Sequence, residues 1–447
     1  MDLIANIPLI GGFLSTVLPF VIVLGIVVFV HEYGHYIVAR WCGIRSEVFS
    51  IGFGPVIWSR RDRRGTLWQV AALPLGGYVK FLGDSDGSSR ADAVTLDHMA
   101  PAQRAQTFHG ASVGRRMLTV LAGPFANFLL TIAVFAAIVM WQGVPTERPT
   151  IGEIQVQTGD GQPLLPGDVV LEVNGAPVDG FDSIYRAALD MPEPGPMQFR
   201  VERDGSRIDV EAPYAFPALI AGISPLSPAS KAGLRAGDLV LSVNGRPVTA
   251  FEDFRQQVMQ SLDETLALEV LRDGGSVTLT VTPTLQDAED GDGGFEKRPM
   301  IGAAGAPLYL PATETPMPWT AVGYGALRMV DVITRSLNGL KHVITGEIGA
   351  DNLQGPLGIA QISGETAQQG FVNFVVLIGV ISTAIGMLNL FPIPVLDGGH
   401  FMAFLFEAVR GRPPSPAAMQ IAMSIGLGLI LLLMVFATYN DIMRMMS

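Results

Sequence analysis

The residues best suited to chemistry form the run His31-Glu32-Tyr33-Gly34-His35. Positions four apart on a helix share a face, so both imidazoles can bind one cation. Glu32 lies close enough to polarise a water held by that cation. The spacing therefore predicts a metal centre of the kind that metal-assisted hydrolysis requires, with one carboxylate beside it.

A third ligand must come from elsewhere, because a catalytic zinc site usually takes three protein ligands and keeps a fourth position for water. In the extended motif of soluble zinc proteases a glycine and a histidine would follow, but those positions hold Val38 and Trp41. The best candidate is Asp397, in the run Asn389-Leu-Phe-Pro-Ile-Pro-Val-Leu-Asp-Gly-Gly-His400. His400 is a rival ligand, although a supporting position next to the metal site is the favoured interpretation.

These two motifs lie at the ends of apolar segments. Four segments approach the roughly 20 residues needed to cross a bilayer, at about 14–38, 117–141, 371–392 and 417–438. The composition agrees, since 49% hydrophobic and 16% charged residues are too apolar for an ordinary soluble enzyme. The first segment has no basic residue before it, so it is expected to stay in the mature protein.

Basic residues in short loops predict the orientation of the spans. The region between the first two segments is rich in arginine: Arg40, Arg45, Arg60, Arg61, Arg63, Arg64, Arg115 and Arg116. No basic residue precedes the first segment, so this region is expected to be cytoplasmic. Residues 142–370 and both termini are then periplasmic in a bacterial inner membrane, and the loop with Arg410 and Arg412 is cytoplasmic. Both chemical motifs consequently lie near the cytoplasmic side, at similar depth.

Charge and cysteine content argue against a nucleic-acid partner and against sites built from several cysteines. The formal net charge of -12, without a long Lys/Arg cluster, argues against a nucleic-acid partner. The single cysteine, Cys42, excludes an intrachain disulfide and a cysteine-rich zinc site.

The external region contains a repeat with a constant offset of 70 residues, since Pro166–Val178 aligns with Ala236–Val248. A Gly-Asp turn, an alternating apolar strand and an Asn-Gly turn recur in the same order, which predicts two small β-rich modules. The pattern resembles PDZ domains, with the fuller signature in Ser227–Asp238 and a shortened one in Gln162–Asp168. We expect the modules at 142–216 and 217–285.

The remaining segments are expected to connect these parts. Gln286–Gly294 is acidic and glycine-rich, which predicts a flexible connection. Apolar residues at steps of three or four from Leu327 to Ile344 predict a helix, lying either on the membrane surface or against the modules. The expected divisions are thus an N-terminal membrane part at 1–141, this connecting region at 286–370 and a C-terminal membrane part at 371–447.

Two short β-like runs follow the first span, at Glu47–Trp58 and Leu67–Phe81, and predict a hairpin that dips into the membrane. An unwound substrate helix exposes backbone groups that strand pairing would satisfy, and Leu73–Lys80 offers such an edge. The candidate substrate-binding residues of this edge are Gly76, Gly77 and Tyr78. A purely structural hairpin is the alternative.

Two further motifs lie near the ends of spans. Asn389 is a candidate to hydrogen-bond the substrate or a developing oxyanion, and packing between helices is its alternative role. Gly123-Pro124 and Asn127 in the second span are interpreted as residues that shape helix packing around the site.

Together, HEYGH, Ala122-Gly-Pro-Phe-Ala-Asn127, NLFPIPVLDGGH and the paired modules resemble the site-2 protease family over nearly the whole chain. The resemblance implies a polytopic α-helical membrane protein with four transmembrane helices, a membrane-associated β-hairpin and two periplasmic PDZ-like domains. It also implies one Zn²⁺ per chain, with His31, His35 and Asp397 as ligands and Glu32 as the general base.

The same resemblance implies regulated intramembrane proteolysis. Its members cut single-span, type II membrane proteins such as anti-sigma factors after another protease has trimmed them, and some clear signal-peptide remnants. Two alternatives remain from the residues alone. One is a membrane-anchored PDZ scaffold with an inactive metal site, and the other is a metalloprotease acting on soluble peptides at the membrane surface.

Overall fold

The structure is a computed structural model that describes residues 11–85, 98–156, 164–289 and 294–446. The chain forms two compact units. The first comprises Met1–Ile138, Pro318–Ile344 and Ala350–Ser447, and the second comprises Val139–Met317 and Thr345–Gly349.

Long helices dominate the first unit. Its α-helices are Gly11–Trp41, Pro101–Arg104, Val113–Gln142, Pro318–Thr345, Pro356–Gln368, Phe371–Asn389, Asp397–Arg410 and Pro416–Met446, with a 3-10 turn at Ala350–Asn352. Within the described residues, the helices long and apolar enough to cross a membrane are Leu14–Trp41, Val113–Gln142, Phe371–Asn389 and Pro416–Met446. We call these the first, second, third and fourth spans, and they coincide with the four segments predicted from hydropathy.

Buried hydroxyl groups join the second and third spans. Thr131 Oγ1 donates to the carbonyl of Gly379 (3.1 Å), and Thr383 Oγ1 donates to Thr131 Oγ1 (3.0 Å). Small polar residues at such positions let two helices approach closely and hydrogen-bond across an apolar environment. The fourth span, by contrast, exposes large apolar side chains such as Ile425 and Leu432, which suits a lipid-facing helix.

A helix that the sequence did not predict, Pro356–Gln368, packs beside the first span, where Gly364 lies against the backbone of Ser15 and Thr16. Its N-terminus is held by the buried Asp441 of the fourth span, which accepts hydrogen bonds from the backbone N–H groups of Gly355 and Gly358. A carboxylate at this place satisfies free N–H groups and complements the helix dipole.

The predicted hairpin is present, with strands Ser46–Arg61 and Leu67–Phe81 paired antiparallel. Both strands bend, so that residues 46–51 pair with 67–70 on one side and with 77–81 on the other. Residues 77–81 therefore form an outer strand, and no other strand of the described residues pairs with their free side. Phe49 and Trp68 stack with ring centroids 4.3 Å apart and anchor the hairpin on the first span.

The second unit contains two four-stranded sheets with the same strand order. In the first copy the sheet strands are Val169–Val173, Ala176–Pro177, Met197–Arg203 and Ser206–Ala212, and the helix is Phe181–Leu189. In the second copy they are Leu239–Val243, Arg246–Pro247, Leu266–Arg272 and Gly275–Val281, with helices Pro228–Lys231 and Phe251–Met259. The repeat in the sequence thus corresponds to a repeat in structure.

An equivalent ion pair lies in each copy. Asp168 accepts two hydrogen bonds from the Arg203 guanidinium, at 2.7 and 2.6 Å. Asp238, 70 residues later, accepts two from Arg272 at the same distances. Both aspartates are 1% exposed and also accept a backbone N–H, so each fixes the turn before its strand.

Short strands complete the second unit. They are Val144–Pro145, Ile151–Ile154, Ile220–Ile223, Thr284–Glu289, Phe295–Met300, Ala303–Gly305, Tyr309–Pro311 and Thr313–Glu314. Ala303–Gly305 pairs with Ile220–Ile223, and Tyr309–Pro311 pairs with Ile151–Ile154. Residues after the second repeat therefore contribute to the cores of both copies.

The flexible connection predicted at Gln286–Gly294 is wrong for its first part. Thr284–Glu289 is a strand that pairs antiparallel with Phe295–Met300, and residues 290–293 lie outside the described part of the chain. Opposite charges face each other in this pair, since Asp287 is the partner of Lys297. Composition predicted disorder because few apolar residues are present, but cross-strand pairing does not need a continuous apolar run.

The predicted helix near Leu327–Ile344 is confirmed and extends over Pro318–Thr345. Its buried Gly325 lies against the backbone of the second span, where an added Cβ would be 2.5 Å from the carbonyl oxygen of Ile132. Large apolar side chains elsewhere on this helix, including Leu327 and Ile344, are exposed.

Candidate metal centre

Three side chains that are far apart in the sequence converge on one point. His31 Nε2 lies 3.1 Å from Asp397 Oδ2, His35 Nε2 lies 3.4 Å from the same oxygen, and the two Nε2 atoms are 3.2 Å apart. Among the described residues this is the group of His, Cys, Asp and Glu side chains with the spacing of a metal site. His400, the rival ligand, is not part of it.

The two histidines project from the first span one helical turn apart, as the sequence spacing predicts. A second polar contact orients each ring. His35 Nδ1 is 2.8 Å from the carbonyl oxygen of Thr119, and His31 Nδ1 is 3.3 Å from Asn127 Nδ2, both in the second span. The imidazoles are therefore fixed from their far side by a different helix.

Gly123 of the second span leaves room for the imidazole rings of His31 and His35. A Cβ at this position would lie 2.3 Å from His35 Nε2 and 2.9 Å from His31 Cε1. No real Cβ tolerates such contacts, so the second span passes the two rings at a distance that only glycine allows.

Asp397 is the first residue of the helix Asp397–Arg410, after an irregular turn at Leu390–Leu396. Pro392 and Pro394 prevent a regular helix in this turn. At Gly398 the backbone returns onto the end of the third span, where a Cβ would be 2.3 Å from the carbonyl oxygen of Leu390. This close approach places the carboxylate of Asp397 opposite the two histidines.

The donor set fits a zinc ion. Zinc–nitrogen and zinc–oxygen bonds of about 2.0–2.1 Å in a tetrahedron separate neighbouring ligand atoms by about 3.3 Å, and the three observed separations lie close to that value. Asp397 Oδ2 is buried and makes no hydrogen bond, although it lies beside two ring nitrogens. A cation between these atoms would account for an oxygen that is otherwise buried without a partner.

The three side chains open into a cavity of about 280 Å³. Glu32 lines this cavity, as do Gly77, Tyr78 and Asn389 among the predicted substrate-binding residues, and so does His400. Gly77 lies directly against the first span, because its added Cβ would be 2.9 Å from Glu32 Cγ. Gly76 instead packs against the ring of Phe53.

One wall of the cavity is formed by Phe81 and Phe108, whose rings stack at 5.2 Å. The buried Asp84 holds this wall, because its carboxylate accepts the Phe81 N–H (3.0 Å) and lies 3.3 Å from His109 Nε2. Burial raises the pKa of the Asp84 carboxyl, while the contacts with His109 and Phe81 oppose that shift.

The sequence predicts the site residues of the first span and Asp397, but it indicates less clearly which residues of the second span contact the site. The role of Thr119 is not predictable from the sequence, since a backbone carbonyl leaves no signature in the side-chain pattern. The sequence predicts Gly123 and Asn127 as packing residues, whereas the structure places both against the imidazoles. The run Ala122–Asn127 held the signal, because a glycine and a buried amide four residues apart share one helix face.

Comparison with known proteins extends these observations. The model of peptidase family M50 matches residues 19–433. The chain belongs to peptidase family M50. Relatives align over nearly their full length. A Rhizobium meliloti (strain 1021) protein named "putative zinc metalloprotease" is 36% identical, with 96% of each chain covered. The regulator of sigma E protease of Salmonella typhi is 35% identical over 95% of this chain and 98% of its own.

The regulator of sigma-E protease RseP of Escherichia coli (strain K12) is 34% identical over 97% of this chain and 100% of its own. The family confirms the resemblance drawn from the motifs and makes the protein a metalloprotease of the site-2 type. The four candidate spans found among the described residues agree with a multi-pass membrane protein.

Proposed function

We propose that this member of the M50 family is an intramembrane protease that uses one zinc ion per chain, held by His31, His35 and Asp397. The convergence of these three ligand atoms, in a cavity that Glu32 also lines, carries the proposal. When bound, zinc supplies a Lewis acid that favours deprotonation of water and polarises a carbonyl. Glu32 accepts the proton of the attacking water and delivers it to the leaving amine.

The outer strand of the hairpin is the proposed substrate-holding edge. Residues 77–81 have one paired side, and Gly77, Tyr78 and Val79 line the cavity. A peptide bond can reach the site only if the substrate helix unwinds, and an added strand would satisfy the freed backbone groups. The exposed Val56 and Ile57 on the same hairpin suit a segment that dips into the membrane. Gly76 would support this edge through its contact with Phe53.

Asn389 is proposed to contact the bound substrate or the developing oxyanion. Its side chain lines the cavity, and one amide N–H already donates to the Ile385 carbonyl of its own helix (3.0 Å). That bond fixes the amide while its second N–H remains able to donate to substrate.

The proposed substrates are single-span, type II membrane proteins, such as trimmed anti-sigma factors, together with signal-peptide remnants. The names of the sigma-E relatives and the apolar setting of the site support this class. In the proposed topology the chain lies in a bacterial inner membrane, with both termini and the repeated modules periplasmic. The distribution of arginines supports it, because Arg60–Arg64 lies between the first two spans.

The two repeats, proposed at 142–216 and 217–285, are interpreted as PDZ-like domains that exclude substrates with bulky periplasmic parts.

The strand pairing indicates where both modules can be removed without leaving a strand unpaired. Pro145 and Thr313 are register partners, so residues 146–312 can be replaced by a short Gly-Ser linker between two neighbouring points. Deleting 150–285 alone would leave the partners of Ile151–Ile154 and Ile220–Ile223 unpaired.

The shortened protein is expected to cleave an intact substrate as fast as a trimmed one, whereas the full chain cleaves only the trimmed form. Reconstitution in lipid vesicles with both substrates measures this ratio. Unchanged discrimination after the deletion would refute size exclusion by the modules.

Catalysis is tested with the purified full-length protein and a trimmed single-span substrate. Glu32→Gln should retain zinc and lose cleavage by about 10²–10⁴-fold, the usual contribution of a general base. Glu147→Gln is the matched control, since it makes the same chemical change at an exposed carboxylate of the second unit. Mass spectrometry of the products locates the cut.

Each outcome has a distinct meaning. Cleavage within the substrate span by wild type and by Glu147→Gln alone supports the proposal. Cleavage only of soluble peptides would replace it with a protease acting at the membrane surface. Equal cleavage by Glu32→Gln would remove Glu32 from the mechanism, and zinc binding without cleavage by the wild type would favour a scaffold.

A further inference from the structure

Asn127 is a fully buried residue of the second span whose side chain faces a candidate metal ligand. Its Nδ2 atom lies 3.3 Å from His31 Nδ1, and its Oδ1 atom is buried without a hydrogen-bond partner. A buried amide oxygen without a donor is costly, and this one is adjacent to a ring nitrogen that needs a partner.

The hydrogen-bond state of His31 indicates which end of the Asn127 amide faces the ring. Its Nε2 atom faces Asp397 and His35, so in the proposed function, on which this inference rests, Nε2 is the ligand atom. The proton of a neutral imidazole then resides on Nδ1, which becomes a donor. An amide NH₂ opposite a donor N–H is repulsive, whereas an amide oxygen there accepts a hydrogen bond.

Rotation of the Asn127 amide by half a turn exchanges two groups of nearly equal size. Oδ1 then accepts a hydrogen bond from His31 Nδ1–H, and the NH₂ group takes the buried position in which Oδ1 has no hydrogen-bond partner. His35 already shows the same arrangement, because its Nδ1 lies 2.8 Å from the carbonyl oxygen of Thr119. Both imidazoles would thus have an oxygen acceptor behind the ring and the metal in front of it.

We propose that Asn127 is a positioning residue that orients His31 for zinc by accepting a hydrogen bond from His31 Nδ1–H through its side-chain oxygen. Its own position is rigid. The backbone carbonyl of Asn127 accepts a hydrogen bond from Ser382 Oγ (2.9 Å) of the third span, and its Cβ lies against Gly386 of the same span. The third span thereby fixes the amide that fixes the metal ligand.

A packing role alone makes different predictions, which three substitutions separate. Asn127→Asp keeps the size and an oxygen acceptor. Asn127→Leu keeps approximate size but has no acceptor. Thr131→Val, on the same helix, removes the hydroxyl that bonds to Asn127 and Gly379 without touching His31.

The zinc affinity of each purified full-length variant is measured by competition with a chelator, together with the visible spectrum of its cobalt-substituted form. Loss of a hydrogen-bonded partner of a metal-binding histidine typically weakens affinity by about 10–100-fold, and Asn127→Leu should fall in that range. Asn127→Asp should bind within about threefold of wild type, because a carboxylate is an equally common partner of such a histidine. Thr131→Val should keep wild-type affinity and the wild-type cobalt spectrum.

Wild-type zinc affinity in Asn127→Leu would overturn the proposal, and so would an equal loss in Thr131→Val. If Asn127→Leu does not fold, Asn127→Ala gives the same comparison with a smaller side chain. Failure of wild type itself to bind zinc refutes the proposed function instead, so the two failures are distinguishable.

Discussion

Gly123→Ala offers a sharp test of how closely the second span passes the imidazoles. The new Cβ would lie 2.3 Å from His35 Nε2, whereas ordinary contact begins at 3.4 Å, so the ring must move by about 1 Å. Metal–ligand distances tolerate changes of only about 0.2 Å. Displacement of His35 also lengthens the 2.8 Å contact between its Nδ1 and the Thr119 carbonyl.

The expected result is at least about a 100-fold loss of zinc affinity or cleavage rate, comparable with the effect of a 1 Å misplacement in an active site. Folding should persist, because alanine favours a helix over glycine by about 1 kcal/mol. Zinc competition, cleavage of a trimmed substrate and the thermal midpoint of the protein measure the three effects.

Gly114→Ala is the matched control, since it makes the same change in the same helix and its Cβ meets no atom within 4 Å. It should behave as wild type in all three assays. Normal zinc binding and cleavage by Gly123→Ala would refute the reasoning, because the helix would then have to approach the rings less closely than the structure shows.

Two predictions concern buried aspartates. Asp441→Ala removes the acceptor for the N–H groups of Gly355 and Gly358, and should destabilise the start of helix Pro356–Gln368 by about 2–3 kcal/mol; hydrogen exchange at that helix measures this, and unchanged protection would contradict it. Asp238→Ala removes the buried acceptor of the Arg272 guanidinium and of the Arg235 N–H, and should lower the stability of the second module by about 2–3 kcal/mol. Hydrogen exchange in its sheet tests this, and an equal effect in the first module would count against a local role.

The sequence was most informative where chemistry or periodicity is local. The spacing of His31 and His35 is a property of one helix, and the four spans follow from their apolar length. Asp397 is predictable because it lies in a distinctive run at the end of an apolar segment, and the expected topology brings that end to the depth of the two histidines. The repeat that contains Asp168 and Asp238 is also predictable from the sequence, because the turn and strand residues of each copy are contiguous.

The missed features depend on contacts between distant segments. The sequence shows that Gly123 and Asn127 share one helix face, but it does not show that this face lies against the imidazoles, since a glycine in a span is also common at helix crossings. The strand at Thr284–Glu289 was missed because its stability comes from pairing with Phe295–Met300. Helix Pro356–Gln368 was missed because its apolar face is short and its N-terminus is satisfied by Asp441, 85 positions after Pro356.

Zinc-edge X-ray absorption of the purified wild-type protein, compared with Asp397→Ala, tests the central claim most directly. Wild type should show zinc bound by two imidazole nitrogens and oxygen ligands at about 2.0–2.1 Å, and Asp397→Ala should lose the metal or change that spectrum. A zinc spectrum in Asp397→Ala identical to that of wild type would contradict the assignment of His31, His35 and Asp397 as the metal centre.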